Sequence, residues 1–81
     1  MIHKFQNIHG LIYVLDGSSK DTITEIQNLI EKIKKEKNLP FNTVYVKIPV
    51  FWANKFIDKI EQEGLKIKSS FHKKNEIMME F

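Results

Sequence analysis

Five apolar residues run without a break from Leu11 to Leu15, and the breaker Asp16-Gly17-Ser18-Ser19 follows them. A run of that length, with β-branched and aromatic members, predicts a strand covered on both faces. Before it, residues 2 to 5 form a short strand and residues 6 to 10 a connection. The pattern then changes period. Ile23, Ile26, Leu29, Ile30 and Ile33 fall at offsets 0, 3, 6, 7 and 10, one stripe of a helix over residues 22 to 37. Thr22 and Glu25 have the spacing of a capping box, Lys34, Lys35 and Lys37 crowd the carboxyl end, and Pro40 prevents continuation.

Val44, Val46 and Ile48 alternate with Tyr45 and Lys47, which predicts a strand over residues 43 to 48 stopped by Pro49. A second helix follows over residues 50 to 63, burying Ala53, Phe56, Ile57 and Ile60 with Trp52 at the margin. Gly64 suits a left-handed cap that folds Leu65 back onto Ile60. The remainder predicts a hairpin. Leu65, Ile67, Ser69 and Phe71 share one face, residues 72 to 75 turn, and Ile77, Met79 and Phe81 share a face of the last strand. The expected fold is α/β, a ββαβαββ mixed sheet with two helices, in a single domain of residues 1–81.

Composition narrows the chemistry. The chain has no cysteine, which excludes a disulfide scaffold, a thiolate nucleophile and a cysteine-based zinc site. No apolar run approaches the roughly 20 residues of a membrane helix, and no secretion signal opens the chain, so a cytoplasmic protein is expected. Thirteen cations oppose ten anions, and every cation is a lysine. Lysine attracts phosphate as a point charge but lacks the bidentate fork that reads guanine, so nucleic acid is a partner the charge allows and arginine does not support. His3, His9 and His72 have no helical i, i+4 spacing, and no metal or other cofactor is expected. Tyr13 and Tyr45 sit in strands as packing residues, and no Gly-x-Ser-x-Gly elbow surrounds any serine.

Two segments stand out as candidate sites. Gly17, Ser18, Ser19 and Lys20 open the first helix, where backbone amides and a lysine could serve an anion, with Asp16 and Asp21 beside them. Phe51 and Trp52 follow Pro49 with more aromatic surface than the helix stripe needs; they staple the helix entry to the core, or one of them contacts a partner. Phe81 joins them as a candidate partner-binding residue. An outer strand without a neighbour makes pairing with a second copy an expected outcome.

The stretch from Thr43 to Phe81 has a strand ending Val46-Lys47-Ile48-Pro49, a helix ending Glu63-Gly64-Leu65, and a hairpin closing at Met79-Glu80-Phe81. It resembles the carboxyl-terminal half of the GNAT acetyltransferase superfamily. The rhythm of Tyr45-Val46-Lys47-Ile48-Pro49, Phe56 and Gly64 is similar to the amino-terminal region of β-lysine acetyltransferases. The resemblance implies a pyrophosphate loop of the form Gln/Arg-x-x-Gly-x-Gly/Ala before the first helix, where this chain has Asp16-Gly17-Ser18-Ser19-Lys20-Asp21. It also implies a proton-donating tyrosine four residues before the closing glycine, where this chain has Ile60. Residues 10 to 17 also resemble the opening of STAS regulatory domains, whose Asp-Ser-Ser-Gly phosphorylation site is replaced here by Pro49-Val50-Phe51-Trp52. The expected function is a non-catalytic GNAT-like interaction module acting through protein contacts. The alternatives are an acyl-CoA-binding acetyltransferase fragment or half of a composite enzyme, a STAS-like module, and a small basic protein that binds nucleic acid or inhibits a nucleoprotein, as mobile elements encode.

Overall fold

The alternation of apolar and polar residues becomes a five-stranded sheet, and the two helical stripes become helices that cover one side of it. The computed structural model describes residues 1–39 and 43–81; Pro40, expected to stop the first helix, lies outside the described residues. The elements are β1 (Ile2–Asn7), β2 (Gly10–Leu15), α1 (Thr22–Lys37), β3 (Val44–Pro49), α2 (Val50–Gln62), β4 (Ser69–Lys73) and β5 (Glu76–Glu80). Their order is the ββαβαββ expected. The strands lie in the order β1-β2-β3-β5-β4. β2 and β3 pair parallel at the centre, and every other neighbour is antiparallel.

The core lies between the sheet and the helices. Leu11, Tyr13 and Leu15 of β2, Val44, Val46 and Ile48 of β3, and Met79 and Phe81 at the chain's end point inward. Ile26, Leu29, Ile30 and Ile33 of α1 and Ala53, Phe56 and Ile60 of α2 meet them in one cluster. Burial of this apolar surface is the main source of stability, at about 25 cal/mol per Å² removed from water. The phenol of Tyr13 is pushed above its ordinary pKa, first by that burial and then by the negative charge of Glu36. No helix among the described residues is long and apolar enough to cross a membrane.

Local chemistry differs from expectation in several places. The strand β2 is buried on one face only, because both helices lie on the same side; Ile12 and Val14 face away and are half-buried. β1 extends through Asn7, leaving Ile8 and His9 as a two-residue turn in place of the longer connection. Asp21, not Thr22, caps α1, its carboxylate accepting from the Thr24 amide at 3.2 Å. Thr22 is the first helical residue; it is buried and donates its hydroxyl to the Ser19 carbonyl at 2.9 Å. It takes the inward place that the stripe assigned to Ile23, which is 53% exposed. Ile57 is half-buried at the core's margin rather than central.

The second helix ends as its sequence predicts. Gly64 has φ 75°, the Leu65 amide donates to the Ile60 carbonyl at 3.1 Å, and the Gly64 amide to the Glu61 carbonyl at 3.1 Å. Those two bonds are the Schellman pattern. Beyond it, Leu65 and Ile67 lean on the core while Phe71 stands on the opposite side of the sheet, so the face expected to hold all three is divided. The closing turn is also tighter: His72 and Lys73 belong to β4, leaving only Lys74 and Asn75 between the strands.

Candidate interaction surface

The loop before α1 is organised around a carboxylate. Asp16 Oδ1 accepts from the Ser18 amide at 3.0 Å, the Ser18 hydroxyl at 2.7 Å and the Met1 ammonium at 2.9 Å, and Oδ2 lies 3.0 Å from His3 Nε2. Ser19 Oγ accepts from the Asp21 amide at 3.1 Å. A Cβ at Gly17 would meet the Trp52 indole at 3.1 Å, so the loop packs directly on the entry of α2. Among the residues expected to serve an anion, Gly17 is therefore packed, Ser18 has both donors on Asp16, and Ser19 acts as an acceptor; Lys20 projects into solvent. Both donors of Ser18 are spent on the protein's own anion.

The contacts on Asp16 hold its carboxyl well below the usual carboxylate range, first through the ammonium and then through Ser18 and His3. The Met1 ammonium is raised in turn, chiefly by Glu25 at 2.6 Å. A carboxyl with a depressed folded-state pKa stabilises the fold above its unfolded pKa of about 4, and that contribution is lost as pH falls below it. The denaturation midpoint of the parent should therefore exceed that of Asp16→Asn at pH 6, and the two should converge on acidification below about pH 4. A gap that stays constant from pH 6 to pH 2 would show that ionisation of Asp16 contributes nothing to the fold.

The aromatic candidates separate. Phe51 is 82% exposed and meets Trp52 edge to face, with ring centroids 5.2 Å apart. Trp52 is half-buried against the core, and the Lys55 ammonium lies 5.8 Å from its ring centroid. The pair divides the two roles the sequence left open: Trp52 staples the helix entry and Phe51 stands in solvent. Phe81 belongs to the core at 1% exposure, packed edge to face on Phe56, and offers a partner no surface in this conformation.

A larger surface comes from the side of the sheet that no helix covers. The strand register places Phe5, Ile12, Tyr45, Glu80 and Ser69 in one row across it, and His3, Val14, Lys47, Met78 and Phe71 in the next. Phe5 is 56% and Phe71 65% exposed, while Ile12, Val14, Tyr45 and Met78 between them are half-buried. At the β4–β5 end this face dips into a hollow of about 340 Å³ lined by Lys47, Phe71, Lys73, Lys74, Glu76 and Met78. Lys47 and Glu76 face each other at 3.6 Å, and Glu80 accepts the Ser69 hydroxyl at 3.1 Å. Lys73 and Lys74 have no carboxylate partner among the described residues.

Sequence reasoning missed this surface. Phe5, Tyr45, Phe71 and Met78 each read as ordinary sheet residues, and only the register shows that they share the uncovered side. The signal available was a count: the inward positions of β2, β3 and β5 already supply a core, and the apolar residues alternating with them exceed what two helices can cover. Among the described residues no group of three or more histidine or carboxylate side chains is placed to hold a metal ion. Comparison of the chain with protein-family models, with curated protein sequences and with solved structures returns no match.

Proposed function

We infer that the chain is a non-catalytic, GNAT-half-like interaction module whose working surface is the uncovered side of its sheet. The observation that carries this reading is that this face has no helix over it, with Phe5 and Phe71 more than half exposed at its two edges and Ile12, Val14, Tyr45 and Met78 half-buried between them. Contiguous exposed apolar surface on a small domain marks a contact site more often than a folding remainder. The GNAT-like part of the reading rests on the strand order, a parallel pair between two antiparallel hairpins, together with the resemblance from Thr43 to Phe81. Two features weigh against an acetyltransferase half. Ile60, at the place of the family's proton donor, is a fully buried hydrocarbon, and in the loop before α1 both donors of Ser18 bond to Asp16.

Photo-crosslinking in the cells that make the protein tests where it works. Benzoylphenylalanine placed at Phe5 or Phe71 should give adducts, and the same group at Lys35 on the outer side of α1 should give few. Adducts from Lys35 alone would place the working surface on the helices and end this reading.

A further inference from the structure

Resting on the reading that the uncovered sheet face is the working surface, we propose that its occupant is a single strand of nucleic acid. One base stacks on Phe71 in the hollow at the β4–β5 end, and the strand's phosphates lie along Lys47, Lys73 and Lys74.

Four observations favour this occupant. The hollow joins an apolar floor, Phe71 and Met78, to three lysines and one carboxylate, Glu76. A base bears a flat apolar face and a negative phosphate a few ångströms apart, and it complements that combination in shape and in sign. Phe71 is not shielded: 65% of it is open to solvent, as a stacking platform requires. Two further rings stand in the adjacent row of the same face, Tyr45 two strands away and Phe5 at the far edge.

Charge is the third observation. Glu76 is partly neutralised by Lys47 at 3.6 Å, whereas Lys73 and Lys74 lack a carboxylate partner among the described residues. The hollow therefore carries net positive charge at its open rim. Lysines without arginine suit phosphate attraction without base reading, so the expected binding is tolerant of sequence.

The fourth observation weighs against a second copy of the chain. Face-to-face pairing would bring two lysine-rimmed hollows of the same sign into one interface, where like charges disfavour contact. A duplex fits less well, because its bases are stacked on one another and closed to Phe71.

Fluorescence anisotropy with labelled twelve-residue oligo(dT) and oligo(U), and with a twelve-base-pair duplex, tests the proposal at 50 and 200 mM salt. Both single strands should bind, the duplex more weakly, and affinity should fall as salt rises. Phe71→Ala should weaken single-strand binding about tenfold or more, and Phe71→Trp should retain it. The pair Lys73→Ala with Lys74→Ala should reduce the slope of log affinity against log salt by about 1 to 1.5. Lys35→Ala should change the affinity little, and all these side chains are exposed enough that circular dichroism should report an unchanged fold. Absence of saturable binding at 50 mM salt overturns the proposal. If photo-crosslinks from Phe71 to a protein persist in that case, including a second copy, the sheet face remains the working surface and only its occupant was misassigned. Binding that survives Phe71→Ala and is lost with Lys35→Ala overturns both.

Discussion

Phe56→Ala should lower the unfolding free energy by about 3–5 kcal/mol, the range for truncating a fully enclosed phenylalanine. The ring is 0% exposed and stands edge to face on Phe81 at 6.1 Å, joining α2 to the last inward residue of the sheet layer. Removing it takes away both the transfer free energy of the ring and its contact with Phe81, and leaves a cavity that a packed layer closes only in part. Ile30→Ala, on the inner line of α1, should cost about 2–5 kcal/mol by the same reasoning. Ile57→Ala should cost less, about 1–2 kcal/mol, because Ile57 is only partly enclosed and its site can refill with water or neighbouring side chains. Urea denaturation of the three variants checks the order. Equal midpoints for Phe56→Ala and Ile57→Ala would mean that α2 is rotated relative to the arrangement described.

Gly10→Ala should be the other severe change, at roughly 2–5 kcal/mol, from steric overlap and backbone strain acting together. Gly10 has φ +140°, and a Cβ there would lie 2.3 Å from the Thr43 carbonyl oxygen. That oxygen accepts from the Leu11 amide at 2.9 Å, the bond that opens the parallel pairing of β2 with β3. Alanine must push the two central strands apart at their first contact. Gly64 provides the internal comparison. It too has positive φ, but nothing lies within 4 Å of its would-be Cβ, so Gly64→Ala should cost only about 1 kcal/mol. Thermal unfolding of the two variants is the measurement, and a Gly10→Ala protein no less stable than Gly64→Ala would refute the close approach.

The elements were legible because their signals are local. The period of Ile26, Leu29, Ile30 and Ile33 specifies a helix face whatever packs on it, and the Gly64 ending needs only its own neighbours. What escaped was everything that depends on which side of the sheet is covered. The run Leu11 to Leu15 is apolar at every position, and such a run looks the same whether its outer residues meet a second layer or solvent. Here Ile12 and Val14 meet no helix, and that single difference turns a buried strand into the floor of a surface. The capping box failed for a related reason: Thr22 and Asp21 both qualify as caps by type, and Thr22 is buried with its hydroxyl on the Ser19 carbonyl while Asp21 takes the Thr24 amide. The candidate loop at Gly17 to Lys20 was legible as a turn, but the sequence could not say that His3 and the Met1 ammonium would join Ser18 on Asp16. Phe81 was visible as apolar and close to the chain's end, and only its packing against Phe56 assigns it inward.

The hairpin turn at Lys74 has a further meaning. Lys74 holds φ 52°, a left-handed conformation that a side chain disfavours by about 1–2 kcal/mol relative to glycine. A glycine would relieve that strain, and asparagine, its neighbour in the turn, tolerates the conformation better than lysine does. The chain nevertheless keeps a cation in this two-residue turn, at the rim of the hollow. Backbone comfort is given up at the one turn residue whose charge borders the proposed site. The fold is therefore less stable than its own turn geometry would permit, and the shortfall is confined to a place where binding an anion could offset it.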